Sequence, residues 1–103
     1  MVHRTIMKAI QLFRRKFQRG NVIVEMVIWR LPKATPDRPH GIKYRFYCGR
    51  DNECLVRYDN EAGKGDHRHY GELEEPYAFT SVDQLIEDFR NDCARLAGWE
   101  WDT

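Results

Sequence analysis

One stretch commits the chain to a helix that needs an apolar sheet beneath it. In residues 81–97, Val82, Leu85, Ile86, Phe89, Cys93 and Leu96 form one continuous stripe, the recurrence of an amphipathic helix. Thr80 with Asp83, or Ser81 with Gln84, offers a capping box at its start, and Gly98 follows as a stop. A striped helix must bury its apolar side against another element, and most of the remaining chain reads as strand. The fold class expected is therefore α+β: an antiparallel sheet of about four to five strands with this C-terminal helix packed on one face.

The strand signals are of unequal strength. Residues 22–29, Val-Ile-Val-Glu-Met-Val-Ile-Trp, are β-branched and apolar with Glu25 as the one interruption, and read as a central strand. Residues 42–48 alternate, with Ile42, Tyr44, Phe46 and Cys48 against Lys43, Arg45 and Tyr47. Residues 54–58 resume the alternation after the turn signal Gly49-Arg50-Asp51-Asn52, so the two make a hairpin. Pro32, Pro36 and Pro39 mark the polar loop before them. Residues 8–19 read two ways. Ile6, Ile10, Phe13 and Phe17 have helical spacing, whereas Gly20-Asn21 and the strand beyond favour a hairpin, hence a strand. The tryptophans of the tail, Trp99 and Trp101, suit a patch over a sheet edge.

Bulk properties narrow the class. A chain of 103 residues, 42% hydrophobic and 32% charged, makes a single domain and an ordinary soluble globule. A net charge of +1 excludes a histone-like polycation, yet residues 1–19 hold six Lys or Arg and no acid, while residues 72–92 hold seven acids and one Arg. Cys48, Cys54 and Cys93 lack a C-x-x-C pair, which argues against a disulfide framework or structural zinc and fits a cytoplasmic location. A Cys48–Cys54 bridge across the turn is sterically conceivable. No leader or membrane-spanning run is evident.

Chemistry concentrates in residues 58–70. Asp59, Asn60, Gly63, Lys64, Gly65, Asp66, His67, Arg68 and His69 crowd one loop, a mixture that burial alone does not demand. Gly63-Lys64-Gly65 could cradle a phosphate with freed backbone amides beside an ammonium, or be a plain flexible turn. His67-x-His69 on extended backbone points both imidazoles to one side. Spacing alone ranks a structural pairing with nearby carboxylates first, then an acid/base pair for phosphodiester chemistry, then half a metal site completed by Asp59 or Asp66. Arg45, Arg57 and Lys43, with Tyr47, make either a solvated sheet face or a stripe suited to single-stranded RNA.

These residues carry a resemblance. Val24-Glu25-Met26-Val27-Ile28-Trp29-Arg30-Leu31-Pro32, Lys43-Tyr44-Arg45, the run from Tyr58-Asp59-Asn60-Glu61 through Gly63-Lys64-Gly65-Asp66-His67-Arg68-His69, Glu74-Glu75-Pro76-Tyr77-Ala78-Phe79, and the start of the helix together resemble the TumE-like toxins of bacterial toxin–antitoxin systems, over about residues 8–93. The resemblance implies a small cytoplasmic toxin with a helix-turn-helix antitoxin as partner, and by class an action on RNA.

On that footing His67 and His69 are the expected acid/base groups, with Asp59 or Asp66 orienting an imidazole. Lys64 and Arg68 are expected on the phosphate, and Gly63, Gly65, Asn60, Arg57 and Arg45 elsewhere on the substrate. No cofactor or metal is required, and a homodimer is conceivable. The alternative is a module that binds nucleic acid or antitoxin and breaks no bond. A transfer reaction from a nucleoside triphosphate, suggested by Gly-Lys-Gly, ranks behind both.

Overall fold

The computed structural model describes residues 8–102. Six strands, β1 (Ile10–Arg19), β2 (Val22–Arg30), β3 (Ile42–Arg50), β4 (Glu53–Asp59), β5 (His67–Tyr70) and β6 (Leu73–Pro76), precede one helix, α1 (Val82–Ala97). The strands form a single antiparallel sheet in sequence order. The sheet thus has six strands, against the four to five expected. The shortfall lies in β5 and β6, four residues each and rich in charge. They are too short for alternation to stand out and are joined by Gly71-Glu72 alone.

Three tight turns fix the meander. Gly20-Asn21 joins β1 to β2, which settles residues 10–19 as a strand; Ile6 of the rival helical pattern lies outside the described residues. Asp51 and Asn52 join β3 to β4 with φ of 53° and 65°. Both central residues are left-handed, as a twist-matched hairpin turn requires, and Asp and Asn tolerate that region better than most side chains.

Alternation then sorts the faces. Val24, Met26, Ile28, Tyr44, Phe46, Cys48, Val56 and Tyr58 point inward and are buried with Leu85, Phe89 and Cys93 of α1. Phe89 meets Phe46 and Tyr58 edge-on, at 5.1 and 5.8 Å between ring centres. Ser81 caps α1 by accepting from the Gln84 amide, and Gly98 ends it at φ 64°. The tail covers the β1 end of this layer: Phe17 packs on Trp99 and Trp101, and the Trp101 indole donates to the Arg90 carbonyl at 3.0 Å. All three cysteines are free, and Cys48 faces Cys93 across the helix–sheet interface, not Cys54. Among the described residues no helix is long and apolar enough to cross a membrane.

Candidate active site

The face of the sheet turned away from α1 gathers the chemistry. Register places Val27, Arg45, Asp59 and His67 in one row across β2 to β5, and Glu25, Tyr47, Arg57, His69 and Glu74 in the next, reaching β6. Asp59, Arg57, His67 and His69 therefore meet where β4 pairs with β5. The two imidazole centres are 4.9 Å apart. Asp59 and His67 are nearly sealed, at 4% and 5% exposure, while Glu74 on the edge strand lies 3.7 Å from His67 and 4.0 Å from His69.

The two rings face opposite partners. His67 Nδ1 lies 2.9 Å from the Gly65 carbonyl, which can only accept, so Nδ1 carries a proton. Its Nε2 touches the Asp59 carboxylate. Gly65 sits at φ 73°, a conformation that suits glycine and turns its carbonyl to the ring. His69 Nε2 instead lies 3.1 Å from Arg57 Nη2. A guanidinium can only donate, so this nitrogen accepts and the ring is neutral. Burial, reinforced by the Arg57 charge, lowers the His69 pKa below 6.5. Environment thus splits one residue type into a proton donor and a proton acceptor, the division that acid/base sites exploit.

Asp59 completes the cluster without being well bonded. Its Oδ2 is 3.0 Å from Arg57 Nε, and its Oδ1 touches His67, yet Oδ1 and Arg57 Nε both lack an aligned hydrogen-bond partner among the described residues. Close opposite charges attract at any angle, but a buried carboxylate oxygen without a directed donor is an exception that calls for a role. Asp59, His67 and His69 each offer a ligand atom within 4.8 Å of the others, so this set could hold a metal ion. The expected rival ligand, Asp66, does not join it.

Several expected members of the site stand elsewhere. Arg68 points to the α1 face, because neighbours in a strand alternate. There its guanidinium binds Glu75, lies 3.3 Å from the Tyr58 hydroxyl and covers the rings of Tyr58, Tyr70 and Tyr77. Asp66 accepts from the Tyr44 hydroxyl at 2.7 Å and contacts His40 and Asn60, so it ties loops together and orients neither His67 nor His69. Burial and that bond push the Tyr44 pKa far up, keeping the hydroxyl a donor. Asn60 is fully buried and bridges to the backbone of Tyr44 and Ile42, taking the place of ladder bonds where β4 ends. Gly63 gives its amide to the Asp37 carboxylate, which lowers the Asp37 pKa and takes one amide from any phosphate cradle. Lys64 does reach the site: with Asp66, His67 and Glu74 it lines a depression of about 180 Å³.

On the other side of Asp59 lies a cavity of about 260 Å³ that Arg45 also lines. Its remaining walls include Trp29, Arg38 and Lys43, none of them singled out as a site residue above except Lys43 as part of a basic stripe. Glu74 and Trp29 belong to runs that carry the resemblance but gave no signal as site residues, since an acid in an acidic run and a tryptophan ending an apolar strand look ordinary. Their neighbourhood depends on register.

No curated protein and no solved structure matches the chain. A family model described as Toxin TumE matches residues 4–97, nearly the whole chain and somewhat more than the residues that carry the resemblance. The chain belongs to the TumE toxin family.

Proposed function

We propose that this toxin of a toxin–antitoxin system acts on RNA and breaks the phosphodiester backbone by acid/base catalysis at Asp59, His67 and His69. The observation that carries the reading is the opposed hydrogen-bonding roles of two imidazoles whose centres are 4.9 Å apart, His67 donating through Nδ1 and His69 accepting at Nε2. With Arg57 turned from His69 Nε2 to the phosphate, neutral His69 would take the proton from a ribose 2′-hydroxyl as its oxygen attacks phosphorus. His67, in its protonated form, would give a proton to the departing 5′-oxygen as the P–O5′ bond breaks, leaving a 2′,3′-cyclic phosphate and a 5′-hydroxyl. Arg57 and Lys64 would offset the charge gathering on the phosphate oxygens, and Asp59 would orient the His67 ring. The antitoxin partner, a helix-turn-helix protein by expectation, would act by keeping RNA from this face.

A second reading has one observation behind it. Asp59 Oδ1 is buried and undirected beside two histidines, the donor set of a borderline divalent metal such as zinc. His67 fits such a role, since its other ring nitrogen is already bonded to a backbone carbonyl. Arg57 opposes it, because a dication here would sit against the guanidinium charge; His69 Nε2 must be released from Arg57 in either reading, and a phosphate, unlike a metal, would draw the guanidinium to itself. The acid/base reading is therefore preferred.

Incubating the purified protein with end-labelled single-stranded RNA, with and without EDTA, separates the readings. Cleavage untouched by EDTA and reduced by about 10²–10⁴-fold in His67→Ala and His69→Ala supports acid/base chemistry. Loss with EDTA supports the metal. RNA shifted but intact means a binding module, and the proposed chemistry fails.

A further inference from the structure

We infer that the cavity of about 260 Å³ bounded by Trp29, Arg38, Lys43, Arg45 and Asp59 receives one unpaired nucleotide of the RNA, its base against Trp29 and its phosphate among the cations. The inference rests on the proposed action on RNA and names where the nucleotide beside the scissile bond sits.

Position supports it first. Asp59 is a wall shared by this cavity and by the histidine cluster, so a nucleotide held here brings its phosphodiester to His67 and Arg57. The charge of the walls supports it next. Three cations line the cavity against two carboxylates, Asp59 and Glu61. Arg45 has a distant acid, Glu25 at 3.6 Å, whereas no ion pair among the described residues engages Lys43 or Arg38. Arg38 is tethered through its Nε to the Asn60 carbonyl at 2.7 Å, which holds the guanidinium in place with its terminal nitrogens unbonded among the described residues. A cation held in place without an acid partner, as Arg38 is, calls for an anion in the recess beside it.

The indole then selects among anions. Trp29 is half-buried and pairs with Lys43 across β2 and β3, and the Lys43 ammonium rests 5.0 Å from its ring centre. A base can replace or share that ring face, since stacking on an aromatic side chain suits any base. A cavity of about 260 Å³ has room for a base with its phosphate at the rim, as an unstacked residue of single-stranded RNA can offer. A solvated polar face would explain the cations but not their clustering around an indole next to Asp59.

Titration of the full chain with the four nucleoside 5′-monophosphates, ribose 5-phosphate and inorganic phosphate tests this, read by calorimetry and tryptophan fluorescence. At least one nucleotide is expected to bind more tightly than ribose 5-phosphate. Trp29→Ala should weaken it by about tenfold, and Lys43→Gln and Arg38→Gln should weaken every phosphate probe. Trp29→Phe, which keeps a ring, should retain most of the affinity and guards against misfolding. Equal binding of nucleotide and sugar phosphate, or of parent and Trp29→Ala, overturns the assignment. Nucleotide binding by a protein that cleaves no RNA leaves this pocket standing while the catalytic reading fails; cleavage without nucleotide binding does the reverse.

Discussion

At His69 two influences act in the same direction. Burial disfavours the charged ring, and the Arg57 guanidinium at 3.1 Å repels a proton on the facing nitrogen, so the pKa falls below 6.5. If His69 is the base, the acid limb of the cleavage rate must lie below the ordinary histidine value. Arg57→Gln should move that limb toward higher pH and lower the plateau by about 10²-fold, as for loss of one charge-stabilising donor. A limb that stays put would show that Arg57 does not tune His69. The linkage to stability has a definite sign. The unfolded chain takes up this proton before the folded one does, so His69 leaves stability untouched above its unfolded value and lowers it as pH falls through 6.5 toward the folded value.

Between elements, one carboxylate fastens the helix to the sheet. Asp92 of α1 accepts from the hydroxyls of Tyr58 on β4 and Tyr70 on β5, each at 2.6 Å, and from Arg95 at 2.9 Å. Burial by itself would raise the Asp92 pKa, but these donors outweigh it and hold it below 3.8. A depressed acid contributes stability above its unfolded pKa and loses it as pH falls through the folded value. Asp92→Asn is expected to lower stability near neutral pH by about 1.5–3 kcal/mol, the range for hydrogen bonds to a charged group. Denaturant titration at pH 7 and at pH 3 checks both parts: the deficit should be present at neutral pH and shrink in acid. A deficit unchanged between the two would mean that the charge contributes nothing.

For the molecule as a whole, the two faces of the sheet divide the work. One is covered by α1 and supplies the core; the other is polar and carries the candidate chemistry. Phe89→Ala, which empties a fully buried position between Phe46 and Tyr58, should cost about 3–5 kcal/mol. That is a large part of what holds a domain of this size together. The melting temperature should fall sharply, while cleavage per folded molecule at low temperature should match the parent. Loss of activity in protein that circular dichroism shows to be folded would mean that the faces are coupled.

Local pattern alone determined the helix with its Ser81 cap and Gly98 stop, the β3–β4 hairpin, and the family. These signals live within a few residues, where hydrophobic period and turn chemistry act. Part of the site was equally local: the alternation that sets His67 beside His69 also sends Arg68 to the far face. What needed the tertiary structure was the choice of partners. Asp59 and not Asp66 reaches the histidines, Glu74 closes over them, and Trp29 with Arg38 arrives from distant sequence. Those neighbours follow from strand register, which tight turns set. One residue of slip would turn every side chain of a strand to the opposite face.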